Sequence, residues 1–267
     1  MRRNAVIGSY WDVYEIEPGN GVVFPIQKIT HSTWYTFGYH FNSVTTEVST
    51  YLNGSLVEVA GAANGIPAFT QINEFTFLGD TFPQGDIDDF EVHKYLDDVK
   101  VGTTGLGSTD IFSDDFESYT LGDEWDDGTS HPPWTSVSSD SPPPSGIATD
   151  GLTIAATPYG GTGLCMNFKS HNEKVFAVDI TNLAGGKIGY DWAGTSGDVY
   201  IEFKMAFDSD FIAQVERANS FVDGVEAFAA SSDTRPSGVT SLYLVDAPAT
   251  GKLHYFHNGS WHQVLDA

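Results

Sequence analysis

An antiparallel all-β sandwich is what this chain should form, and three observations point to it. Glycine is abundant at 28 residues, and aromatic residues make up 13% of the chain. Short alternating apolar and polar runs recur along its length, and Asn-Gly pairs sit between two of the run pairs. At 267 residues, one large domain or two small ones are both allowed.

The first hairpin is expected at Thr45–Val59, where Asn53-Gly54 should make a two-residue type I′ turn. Pairing outward from that turn puts Val48, Thr50, Leu52, Val57 and Val59 on a dry face. Glu47, Ser49, Tyr51, Leu56 and Glu58 fall on the wet one. A second hairpin is expected where Leu253–His257 and Ser260–Val264 flank Asn258-Gly259, with Phe256 opposite Trp261. Further strands are expected at Thr33–Phe41, Glu74–Leu78, Ile87–Tyr95, Lys174–Ile180, Val199–Phe207 and Ser241–Val245. Phe211–Ala230 fits helical spacing about as well as two strands turning at Asp223-Gly224, and is read as strand.

The chain falls into two strand-rich blocks, 1–101 and 111–267, joined by a glycine-rich link over 102–110. A long Ser/Pro loop runs through Asp126–Asp150.

A formal charge of -24, from 36 acidic and 12 basic side chains, repels phosphate backbones and anionic lipid alike. Nucleic-acid and membrane partners are therefore not expected, and no apolar run is long enough to span a bilayer. After Met1-Arg-Arg-Asn only a short apolar patch precedes Trp11, so no secretory signal is read there. The single cysteine, Cys165, excludes an internal disulfide and a cysteine-rich zinc site; flanked by Leu164 and Met166, it reads as a small buried side chain.

Several phrases carry a family resemblance. Ile111-Phe-Ser-Asp-Asp-Phe-Glu-Ser-Tyr-Thr-Leu-Gly-Asp123 resembles the opening strand of laminin-G/concanavalin A-like jelly rolls. Thr33-Trp-Tyr-Thr-Phe, Tyr51-Leu-Asn-Gly and Ile87-Asp-Asp-Phe-Glu-Val92 resemble the late strands of the same family, in the same order. The resemblance implies a jelly roll whose end-type half (1–101) precedes its start-type half (111–267). Such halves either close on each other as a permuted domain or are completed by a neighbouring copy, head-to-tail or by strand exchange. A segment cut from a longer tandem array, or two reduced domains side by side, would produce the same order.

Asp86-Ile-Asp-Asp-Phe-Glu91 is similar to the catalytic strand of laminarinase-type glycoside hydrolases, which share the fold. Strand alternation puts Asp86 and Asp88 on one face and Glu91 on the other, and that family has glutamate where Asp86 stands, so no catalytic residues are assigned. The resemblance also implies that first and last strands are neighbours, which would bring Asp88, Asp89, Asp114, Asp115 and Glu117 together as oxygen ligands for Ca2+. Asp123, Glu124, Asp126 and Asp127 form a second acidic cluster on a loop. His254, His257 and His262 are divided between the two faces of their hairpin and do not converge on a metal. Trp125, Trp134 and Tyr159 lie in polar loops, where aromatic faces suit stacking on a sugar ring.

The leading expectation is a non-enzymatic, self-assembling β-sandwich subunit of an extracellular filament, coat or virion surface, with copies of itself as partners. The first alternative is a calcium-dependent, lectin-like module that binds surface glycans; the second is a degenerate glycoside hydrolase.

Overall fold

The computed structural model describes residues 10–16, 23–60, 68–78, 90–125, 131–138, 151–172, 187–209, 223–232, 235–246, 253–257 and 260–264. Strands are numbered in chain order. A seven-stranded antiparallel sheet runs β10 (Ser136–Ser138), β13 (Lys187–Thr195), β6 (Ile72–Leu78), β15 (Asp223–Ser232), β16 (Arg235–Asp246), β1 (Tyr10–Ile16), β2 (Val23–Thr30). A nine-stranded one runs β5 (Ser55–Ala60), β4 (Glu47–Leu52), β3 (Tyr35–Asn42), β14 (Asp198–Phe207), β7 (Phe90–Gly102), β12 (Leu164–Asn172), β11 (Gly151–Ala156), β9 (Glu124–Trp125). Its ninth member, β8 (Phe112–Asp114), shares the β12 side of β7: β12 pairs with Phe90–Leu96 and β8 with Val99–Val101. β17 (Leu253–His257) and β18 (Ser260–Val264) form a separate hairpin in which Phe256 pairs with Trp261.

The architecture is an antiparallel all-β sandwich. Alternation along β14 sends Val199, Ile201, Phe203 and Met205 inward and Tyr200, Glu202 and Lys204 outward. Phe77 of the smaller sheet meets Phe203 of the larger edge to face, 4.8 Å between ring centroids, and both are fully buried. Phe75, Phe112 and Trp134 extend this aromatic contact. Burying such side chains is worth roughly 1.5–3 kcal/mol each, so the inter-sheet aromatic layer is a principal source of cohesion.

Both sequence blocks contribute to both sheets within one chain. β14 lies between β3 and β7, and β6 between β13 and β15. The glycine-rich segment 102–110 turns β7 back into β8. There the Asp110 carboxylate accepts the Thr103 N–H at 3.0 Å and its hydroxyl at 2.7 Å, and Leu106 lies over Gly38 of β3. A Cβ on Gly38 would stand 2.9 Å from the Leu106 Cδ2 methyl, so the leucine tip would have to shift to admit a side chain there.

The expected Asn53-Gly54 turn is present, with φ of 51° and 75° as a type I′ turn requires. The faces expected from it need correction beyond the turn. A register shift between Thr50 and Tyr51 pairs Val59 with Ser49, which puts Val59 on the outer side, 49% exposed. Val48, Thr50 and Leu52 are buried as expected. Asp223-Gly224 is not a turn: both residues lie in β15, paired with Asp246 and Val245. The strand expected at Lys174–Ile180 lies outside the described residues.

Candidate functional site

An open groove of ≈310 Å³ crosses the outer face of the nine-stranded sheet. Its floor comes from neighbouring strands: Thr36 of β3, Lys204 of β14 and Asp97 of β7. Trp34 forms one wall, and the β11–β12 connection, with Thr157, Tyr159, Gly160, Gly161 and Thr162, forms the other.

Local structure places each wall. The chain passes from β2 to β3 through His31-Ser32; Ser32 has φ of 56°, and its N–H donates to the Phe207 carbonyl at the end of β14. Trp34 therefore sits just ahead of β3, where the chain crosses between sheets. Its indole Nε1–H donates to the Pro158 carbonyl at 2.8 Å, tying one wall to the other. Tyr159 and Gly160 have φ of 57° and 81°, and the Gly161 N–H donates to the Pro158 carbonyl at 3.1 Å. This is a tight I′-like turn, in which a bulky residue at the first central position is unusual. Tyr159 is 37% exposed there and meets Tyr95 edge-on at 5.8 Å.

The floor owes its charge arrangement to a bulge. Asp98, with φ of 56°, shares one partner position on β14 with Val99, so Asp97 and Asp98 both face outward from consecutive positions. Asp98 bonds Lys204 Nζ at 2.6 Å and Lys100 Nζ at 3.3 Å. Burial opposes ionisation of Asp98, yet the two ammonium groups prevail and hold its carboxyl below the usual range. Asp97 accepts the Asp98 N–H at 2.7 Å, and burial pushes its carboxyl up to about 6. Beneath the groove, burial pushes the Cys165 thiol up to about 12, which makes it inert as a nucleophile at neutral pH.

Of the aromatics expected to meet a sugar, only Tyr159 reaches this groove. Trp125 and Trp134 are buried at 1% and 4% exposure and serve the core. Trp125 stacks on His131 at 4.2 Å, and Trp134 packs on Phe112 and Phe116 while its indole N–H donates to Asp114 at 2.6 Å. These segments are polar in composition, but a ring stack and a buried carboxylate hold their indoles inward.

The acidic residues are likewise committed. Asp114 accepts from Phe116 N–H at 2.8 Å, Tyr119 Oη–H at 2.8 Å and Trp134 Nε1–H at 2.6 Å, and burial raises its carboxyl above the usual range. Asp115 accepts the Glu117 N–H, and Glu117 reaches away to accept the Leu164 N–H at 2.8 Å. β8 does neighbour β7 as the resemblance implied, but Asp114 faces Val99, far along β7 from Phe90. Asp114 and Asp115 line a second open cleft of ≈320 Å³ together with Asp98 and Lys100, whose ammonium bonds Asp98 at 3.3 Å. Asp114 and Glu117 thus spend carboxylate oxygens on hydrogen bonds within the fold, while Asp115 stays exposed. Among the described residues no group of three or more His, Cys, Asp or Glu converges on a metal position. Asp88, Asp89, Asp126 and Asp127 lie outside the described residues, as does Asp86 of the hydrolase-like phrase.

Sequence reasoning missed Trp34, Asp97 and Lys204. The signal for Trp34 was the inward Tyr35 beside it, because alternation sends neighbours to opposite faces. For Asp97, it was a pair of adjacent aspartates inside an otherwise alternating strand, a pattern that needs a bulge.

Compared with known proteins, the chain matches no family model and no curated sequence.

Proposed function

We propose that the chain is a non-enzymatic β-sandwich module, displayed outside a cell or on a virion surface, that binds carbohydrate in the groove between Trp34 and Tyr159. The observation that carries this reading is the pairing of two aromatic walls with a polar floor. Aromatic faces take the apolar face of a sugar ring, while Asp97, Thr36 and Thr162 offer hydrogen bonds to its hydroxyls. The resemblance of its phrases to the laminin-G/concanavalin A-like jelly rolls supports a binding role in the same direction. The net charge of -24 argues against nucleic-acid and membrane partners. A glycan array run with wild type, Trp34→Ala and Tyr159→Ala, each with and without a chelator, tests it. Binding that both substitutions abolish supports the groove, whereas undiminished binding by either variant, or none by wild type, rejects it. Loss of binding in the presence of chelator would point to a calcium requirement.

A second reading, self-assembly into a filament or coat, is favoured by the β5 edge of the larger sheet. β5 exposes Leu56 at 56% and Val59 at 49%, and its six residues include no lysine or proline. A sheet edge presents unpaired backbone N–H and C=O groups, a template for pairing with another copy that the bulge against β4 and the Glu58 charge only partly blunt. Both sequence blocks contribute strands to both sheets of one chain, and pairing through this edge needs no exchange of halves.

A further inference from the structure

The charges around the groove are unevenly spent. Lys204 and Lys100 both bond Asp98, so the two cations nearest the floor are neutralised by one carboxylate. Asp97 Oδ1 accepts the Asp98 N–H, and Oδ2 bonds no described residue, which leaves Asp97 as the groove's uncompensated acceptor. The groups facing Asp97 are Asp98 from its own strand, Lys204 from β14, Glu117 from the segment after β8, and Cys165 from β12. Only Lys204 among them is cationic, and its ammonium is held 2.6 Å from Asp98. Trp34 and Tyr159 line the same groove as this carboxylate, and aromatic π-faces attract a cation and have no use for an anion.

We propose that the groove selects amino sugars: a hexopyranoside stacks on Trp34 and Tyr159 and sets its free ammonium on the Asp97 carboxylate. The proposal rests on the carbohydrate-binding reading above and adds the ligand's charge to it. A uronate or sulfated sugar would bring a second anion against Asp97, in a protein already carrying -24. A neutral sugar would meet the same aromatic walls without the ion pair. No calcium is needed for this mode, because the side chains supply both the stacking faces and the charge.

Calorimetric titration of the full chain with three β-1,4-linked hexasaccharides, of glucose, of fully deacetylated glucosamine and of glucuronate, tests it. At about pH 7 the glucosamine oligomer should bind roughly tenfold tighter than the glucose one, and the glucuronate oligomer should not bind. At about pH 5, where Asp97 takes up a proton while the sugar amine keeps its own, the preference should shrink toward parity. Asp97→Asn should abolish the preference, so that glucosamine and glucose bind the variant with equal affinity. In wild type, added salt should weaken glucosamine binding and leave glucose binding unaffected, a readout that does not depend on the variant folding. Equal affinity for glucose and glucosamine in wild type, or a preference that survives in Asp97→Asn, overturns the proposal and leaves the carbohydrate reading standing. Failure of all three sugars to bind overturns both.

Discussion

The indole Nε1–H of Trp34 donates to the backbone carbonyl of Pro158 across 124 positions of sequence, at 2.8 Å. One bond thereby joins the start of β3 to the β11–β12 turn and fixes the width of the groove over β14 and β7. Replacing Trp34 by Phe keeps an aromatic wall and removes the donor. The expected cost is about 1 kcal/mol, the net worth of one hydrogen bond. Amide hydrogen exchange checks it: the Gly161 and Thr157 amides, bonded to Pro158 and Gly163 carbonyls, should lose protection while β14 amides keep theirs.

Tyr159 holds a left-handed backbone conformation that favours Asn or Gly, at φ of 57°. Tyr159→Asn relieves about 1 kcal/mol of strain and gives up the ring contact and hydrogen bond with Tyr95, worth about as much, so the urea midpoint should stay nearly unchanged while sugar binding is lost. Retained stability with loss of binding is the signature of a residue that serves the ligand. Loss of both would mean that Tyr159 serves the fold.

Asp114 accepts three hydrogen bonds at a buried position, so Asp114→Ala strands the Trp134 and Phe116 donors, while the Tyr119 hydroxyl keeps the Pro132 carbonyl as acceptor at 3.0 Å. The expected loss is about 2 kcal/mol or more, since each unsatisfied buried donor costs roughly 1–3 kcal/mol. Asp115→Ala, at an exposed neighbour, should change stability by less than about 0.5 kcal/mol. Chemical denaturation of the two variants separates a structural carboxylate from a surface one.

Asp97 is pushed up to about 6 by burial, above its ordinary value of 3.8. The folded state then binds this proton more tightly than the unfolded state, so the group's contribution favours folding at low pH. That contribution is lost as pH rises from about 4 through about 6. Asp97→Asn should leave stability nearly unchanged at about pH 4 and raise it relative to wild type above about pH 6, a difference read from paired denaturation curves.

The β5 edge makes a prediction about association. Leu56→Lys with Val59→Lys should abolish any concentration-dependent association seen for wild type by sedimentation velocity, without altering sugar binding. A wild type monomeric at every concentration would dismiss the edge as an interface.

How far the sequence speaks for itself differs between these features. The Asn53-Gly54 turn, the Phe256–Trp261 pair and the inward set of β14 follow from period-two alternation and turn chemistry, both local properties. The bulges at Thr50/Tyr51 and Asp98 break that alternation, and each reverses which side chains reach solvent from one position to the next. Trp125 and Trp134 were misplaced for a different reason. Their own neighbours are polar, and the groups that bury them, His131 for one and Asp114 for the other, lie several residues away. Tyr159 was legible because its Pro-Tyr-Gly-Gly setting marks an exposed turn. Trp34 was not, because its partner is the Pro158 carbonyl, a group that sequence pattern does not address.

The most direct test of carbohydrate binding between Trp34 and Tyr159 is a 15N-correlated NMR titration with the glucosamine and glucose hexasaccharides. Of six tryptophans, Trp34 should show the indole N–H that shifts on titration, together with the Gly160, Gly161 and Thr162 amides, while the buried Trp125 and Trp134 indoles stay in place. Shifts centred on another face of the sandwich, or a Trp34 signal unmoved at saturating sugar, would contradict it.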